Sequence, residues 1–209
     1  MAKKKKFTTL FTLCMMVLVL GVGALQIYKV NQNSKSIDHV GVEGSTNSYT
    51  IRANATPYQK EIYDQLNDAI ADKDEPKTAG LIAANFIADF FTWTNKIRLN
   101  DVGGLQFIHK DAINSVSHAA QDGIYNDMYT YLSEGKIANT LQVKATEINT
   151  VSTTFKYEDL TTDAFKVNVT WEYEDSDVLN TSVFQNKATL ILLKDADGLY
   201  SIVEVKDYE

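Results

Sequence analysis

Cysteine is almost absent from this sequence: Cys14 is the single one, and it lies in an apolar stretch near the N-terminus. Everything after it lacks a thiol, which excludes a disulfide framework there. Cys14 does not follow a lipobox-like run of small residues, so it reads as a small apolar side chain rather than a lipidation site. Histidine is scarce too, with three residues, and no two stand at the i, i+4 spacing of a zinc-binding helix. His109, Asp111, His118 and Asp122 come nearest to a metal set. Of these, His118 and Asp122 could share a helix face, which a surface pair explains as well. The acidic run Glu172, Glu174, Asp175 and Asp177 lacks the glycine-bearing loop of a calcium site. A glycine-rich phosphate loop is missing, as is a serine in a nucleophile-elbow setting. The sequence therefore calls for no metal and no cofactor.

Charge of one sign is also unevenly supplied. Residues 1–28 hold Lys3 to Lys6 and no acid, which leaves 16 Lys and Arg against 27 Asp and Glu in the remainder, a net of −11. A domain that acidic cannot neutralise phosphates, so nucleic acid is excluded as a partner. With 44% hydrophobic and 22% charged residues, the bulk of the chain has a globular composition.

The uncharged run from Phe7 to Tyr28 would span about 33 Å as a helix, against a hydrocarbon core of about 30 Å. It predicts a transmembrane helix over 7–28, with residues 1–6 as a basic cytoplasmic tail. The competing reading is a cleaved signal peptide with a site near Gly21–Ala24, but the apolar run is longer than such a core needs. Both readings place the rest outside the cell, so the expected localisation is the cell membrane, single-pass, with an extracytoplasmic C-terminal domain. Residues 29–53 are polar and without period, and read as a tether in which Tyr49 to Arg52 could form a short strand. Residues 54–209 are the size of one domain.

That domain reads as α+β. Thr56 followed by Pro57 marks a helix start, and Tyr58, Ile62, Leu66, Ala69 and Ile70 recur at helical spacing. A second helix starts near Pro76. Its residues Leu81, Ile82, Phe86, Phe90, Phe91 and Trp93 are apolar around most of the circumference, as in a buried core helix. Gly103–Gly104 within the following loop predicts a tight turn with positive φ. Leu105 to Ile108 reads as a short strand. Asp111 is the expected cap of a third helix, and a fourth spans Ile124 to Leu132 and is stopped by Gly135. From Ile137 the period becomes two. Strands are expected over Leu141–Tyr157, Phe165–Tyr173, Val183–Lys194 and Leu199–Val205, with a hairpin at Asp195–Gly198 and longer loops at 158–163 and 175–180. The predicted architecture is an N-terminal transmembrane helix followed by helices packed against a curved four-stranded antiparallel sheet.

The stretch from Ala79 through Trp93, then Asp101-Val-Gly-Gly-Leu-Gln-Phe-Ile and the strands to Glu204, resembles in layout the cone-like nuclear transport factor 2-like superfamily. With the anchor added, the chain is similar to the bitopic assembly-factor subunits of type IV secretion and conjugation machines. The resemblance implies a membrane-anchored, non-enzymatic scaffold in an envelope or secretion assembly, with protein partners in the cell envelope, and is compatible with a homo-oligomer. Its alternative implication is a ligand-binding or acid–base pocket inside the cone.

For that pocket the candidates are Phe86, Asp89, Phe90, Trp93, Tyr125 and Tyr129. Asp89 is the candidate base, since a carboxylate among aromatics has its pKa raised. The plainer reading puts Asp89 on the wet side of its helix, or has it hydrogen-bond a neighbour. For partner contact the candidates are Tyr157, Trp171 and Tyr173, because aromatics are enriched at interface cores, although the core would accept them equally.

Overall fold

The computed structural model describes residues 49–157 and 159–208. Four α-helices come first: α1 (Pro57–Ala71), α2 (Glu75–Phe90), α3 (Ile113–Asp122) and α4 (Ile124–Ser133). Four strands follow: β1 (Val143–Tyr157), β2 (Leu160–Tyr173), β3 (Lys187–Lys194) and β4 (Tyr200–Lys206).

α1 begins where its sequence provides a reciprocal cap. The Gln59 amide donates to Thr56 Oγ1 at 3.2 Å, and the Thr56 amide donates to Gln59 Oε1 at 2.9 Å. Two of the donors that any helix N-terminus leaves free are thereby satisfied. α2 is capped by Asp74, whose carboxylate accepts from the Lys77 amide. Every residue from Thr78 to Ala88 is buried, which its all-round apolar composition anticipates. The helix stops at Phe90, short of the Asn100–Gly104 loop, because the chain beyond it is taken up by the sheet. The Trp93 amide donates to the Leu141 carbonyl at 2.7 Å, and the Val143 amide donates to Thr92 Oγ1 at 3.1 Å.

The strands form one antiparallel meander in the order β1-β2-β3-β4. Val169 pairs with Ile148 on one side and Ala188 on the other, and Val167 with Thr150 and Leu190. Paired residues share a face, so Val167, Val169, Trp171, Ala188, Leu190 and Leu192 all point toward the helices and are buried. α2 crosses this face close enough that a Cβ on Gly80 would lie 2.7 Å from Thr150 Oγ1. A side chain there would displace those of Thr150 and Ile148.

Several local expectations are corrected. Leu105–Phe107 is a turn of 3₁₀ helix, and only Ile108 touches the sheet, through a single parallel bridge to Ile202. Asp111 does not cap α3, which begins at Ile113 behind Ala112 with no side-chain cap. The third strand starts at Lys187, since Asn180 Oδ1 accepts from the Ser182 amide and winds Thr181–Val183 into a 3₁₀ turn. The loop expected at 158–163 is shorter, since β2 already begins at Leu160, which pairs with Tyr157. Gly104 does take positive φ, at 74°.

The curved, cone-like sheet of a nuclear transport factor 2-like domain is also corrected. The sheet is open: β1 and β4 are its two edges and do not meet. Each strand pairs only with its sequence neighbours, and the register slips at just two places, Val143/Ala145 and Ile191/Leu192. Strong curvature or closure needs bulges and stagger on a larger scale.

The membrane reading is corrected as well. Among the described residues no helix is long and apolar enough to cross a membrane, and the span expected at 7–28, with the tail 1–6 and most of the tether 29–53, lies outside them. An uncharged run of sufficient length meets the length requirement for a span and no more. The single-pass topology, the cell-membrane localisation, the membrane as partner and the anchored secretion-scaffold function built on it are therefore withdrawn.

The cap at Thr56 gives a direct test. Thr56→Ala should cost about 1 kcal/mol, read as a lower urea midpoint at unchanged slope.

Candidate functional site

The C-terminus of α2 ends inside the protein, which creates a specific requirement. The last carbonyls of a helix have no partner within it, and here three of them are met by side chains from α1, from the loop after α2 and from α4. Gln59 Nε2 donates to the Ala88 carbonyl at 3.0 Å, Lys96 Nζ to the Asp89 carbonyl at 2.8 Å, and the Tyr125 hydroxyl to the Phe90 carbonyl at 2.9 Å. Lys96 also places a cation at the negative end of the helix dipole.

Asp89 occupies the middle of this arrangement. Lys96 Nζ donates to its Oδ1 at 2.9 Å, and the Gly104 amide donates to its Oδ2 at 2.7 Å. Arg52 Nε lies 3.0 Å from Oδ1 as an ion pair whose geometry does not make a hydrogen bond. The rest of the Arg52 guanidinium forks onto Asp101, with Nη2 to Oδ1 at 3.0 Å and Nη1 to Oδ2 at 3.3 Å. Such a two-point fit is the arginine–carboxylate geometry that adds most specificity. Two cations and two carboxylates thus form one neutral network.

The glycine pair makes this approach possible. A Cβ on Gly103 would lie 2.2 Å from the Asp89 carbonyl oxygen, and one on Gly104 would lie 2.7 Å from the Phe86 ring. The Gly103 amide donates to the Tyr125 hydroxyl at 2.8 Å, so Tyr125 both gives and receives.

These contacts decide the protonation of Asp89. Burial alone would raise its pKa; the charges of Lys96 and Arg52, with the Lys96 and Gly104 hydrogen bonds, outweigh burial and hold it below the ordinary carboxylate value. Asp101 is likewise opposed by burial but held low by the Arg52 bond and charge and by the Ile97 amide. Burial lowers the Lys96 pKa, and Asp89 recovers only part of that. The two ends of the pair shift for different reasons. Asp89 stays ionised, because three positively polarised groups surround its carboxylate and its side chain keeps some contact with water. Tyr125, wholly buried, is pushed far above the usual phenol range.

A cavity of about 30 Å³ lies beside Asp89, lined among others by Thr50, Arg52, Gln59, Asn85 and Gln106. That is room for a water molecule or so. The other pocket candidates sit apart from it or in solid core. Phe86 and Phe90 stack at 5.4 Å, Phe90 meets the Tyr125 ring edge-on at 5.5 Å, Trp93 is buried against Phe184, and Tyr129 is exposed on α4. Among the contact candidates, Trp171 is buried 4.8 Å from the Phe91 ring, Tyr173 is buried with its hydroxyl on the Gln185 carbonyl, and Tyr157 is half-buried at the end of β1. His109 stands 3.7 Å from both Asp111 and Asp195, while His118 and Asp122 are exposed on α3. Among the described residues no three His, Cys, Asp or Glu converge on a metal position.

Arg52 and Lys96 escaped the sequence reading. Arg52 was assigned to the tether, and nothing local announces its fork to Asp101. Lys96 did carry a signal: a basic residue shortly after a helix end suits the exposed carbonyls there.

The depressed Asp89 and Asp101 pKa values fix the sign of a pH effect. Their stabilisation is fully present above the ordinary carboxylate value of 3.8 and is lost as pH falls through the lower folded values. Asp89→Asn leaves Lys96 buried without its counter-charge and should cost about 3 kcal/mol at neutral pH. Its stability should also fall less steeply below pH 4 than that of the parent, measured by urea melts across pH 2–7.

Comparison with known proteins returned no matching family model, no matching curated protein and no matching solved structure, so the resemblance to nuclear transport factor 2-like domains and to secretion assembly factors finds no support.

Proposed function

We propose that this domain is a non-catalytic binding module that acts through its exterior. The observation that carries the reading is the state of Asp89. A general base needs a pKa near the working pH and a substrate within reach, and the contacts around Asp89 hold its pKa below the ordinary carboxylate value. Asp89 has both oxygens engaged by Lys96, Arg52 and the Gly104 amide, and the space beside it is about 30 Å³, far below the several hundred Å³ typical of ligand sites. The polar groups that an active site would aim at a substrate are aimed here at the end of α2.

The reading is tested by a thermal-shift screen of the full chain against small metabolites, compared with Gln106→Ala. Gln106 lines the cavity and bonds the Thr50 backbone, outside the ion network. No compound should raise the melting temperature of the parent while leaving Gln106→Ala unmoved. A compound that did so would establish an occupied pocket and overturn the proposal.

A further inference from the structure

The two edges of the sheet are treated differently. At the β4 edge Ile108 bridges Ile202, the His109 amide donates to the Ile202 carbonyl, and the Tyr49 hydroxyl donates to the Tyr200 carbonyl. At the other edge β1 runs for 15 residues and, among the described residues, pairs with β2 alone. Its register is unbroken from Ala145 to Tyr157.

An edge strand offers a row of unpaired amides and carbonyls, and proteins normally guard it with charge, proline, a bulge or a covering segment. From Ile148 to Phe155, Ile-Asn-Thr-Val-Ser-Thr-Thr-Phe, β1 has none of the first three: no charged residue, no proline, and no bulge. Among the described residues no strand pairs with its outer side; α1 reaches β1 through Tyr58 at Thr146, and α2 passes over one face near Ile148 and Thr150. Ile148 is 38% exposed and Val151 41%. Most of the stretch is β-branched or aromatic, the composition that favours strand pairing. An edge of this kind is a ready template for pairing with another chain.

We propose that the β1 edge is a dimer interface, closed by β1 of a second copy of this chain in antiparallel pairing about a two-fold axis through Val151. A two-fold contact is self-complementary by symmetry. Directly opposed residues must share a face, so the axis passes through a residue and not between two. An axis through Val151 opposes Thr150 to Ser152, Asn149 to Thr153, Ile148 to Thr154, Glu147 to Phe155 and Thr146 to Lys156. No like charges meet, and the exposed Val151 packs on its own copy. An axis through Thr150 would instead set Lys144 against Lys156, which is unfavourable. The uncharged stretch suits a second copy better than a charged peptide, because its own sequence supplies no partner for a charge. The two sheets join into one of eight strands. This goes beyond the binding-module reading and does not depend on it, since an enzyme could dimerise in the same way.

Sedimentation velocity on the full chain tests it. The parent should sediment as a dimer at micromolar concentration. Val151→Lys, which opposes two ammonium groups at the axis, should halve the mass at unchanged circular dichroism, while Val151→Thr should leave the dimer intact. In a Cys14→Ser background, Val151→Cys should oxidise to a covalent dimer and Val183→Cys, exposed elsewhere, should not; this pair decides the matter if Val151→Lys fails to fold. A parent that stays monomeric, a dimer indifferent to Val151→Lys, or equal crosslinking at Val183→Cys would each overturn the proposal.

Discussion

The end of a buried helix is the constraint from which most of this fold follows. α2 is apolar enough to lie in the core along its length, but a helix that ends in the core leaves carbonyls that water cannot reach. An unmet buried carbonyl costs about 1–3 kcal/mol, and three lie side by side at Ala88, Asp89 and Phe90. Gln59 brings α1 to them, Lys96 the loop after the helix, and Tyr125 brings α4. One local requirement thereby fixes α1, α4 and the loop after α2 around the same point.

The charges there follow from the same requirement. A lysine whose side chain is wholly buried needs a counter-ion, and Asp89, on the last turn of α2, is the nearest. Asp89 in turn is approached by Arg52, whose remaining donors are taken by Asp101. Removing any one member exposes the desolvation cost of the others. The network is more economically explained as the closure of a helix end than as chemistry held ready for a substrate. Its dependence on Gly103 and Gly104 supports this, since their missing side chains admit the helix itself.

The helix-then-sheet order was legible in the sequence because it is written in periodicity. The spacing of Ile62, Leu66 and Ala69, and the alternation of Val167, Val169 and Trp171, record which face of each element is buried. What was not legible is long-range or depends on competition between partners. The 3₁₀ turn at Leu105–Phe107 has strand-like residues, but the Phe107 and Ile108 amides turn back onto Gly104 and Leu105, and the amide that reaches the sheet is that of His109. Trp171 and Tyr173 were legible as belonging to one face of β2; that this face meets α2 and not solvent depends on which helix packs there. Arg52 and Asp101 are 49 residues apart in the chain, and no local pattern joins them. The open sheet was hidden for a similar reason. Curvature comes from bulges and from how the edges are capped, and the alternating pattern of a strand is the same in a flat sheet and in a cone.

The asymmetry of the two sheet edges extends this reasoning from the inside of the molecule to its outside. Inside, every conspicuous polar group of the Asp89 region is turned toward another part of the same chain. The β4 edge follows that rule, because Tyr49, Ile108 and His109 close it. Among the described residues β1 departs from it, and does so with a central stretch, Ile148 to Phe155, that lacks the usual deterrents to pairing. The open edge is better understood as the place where the satisfaction of backbone groups continues beyond the single chain.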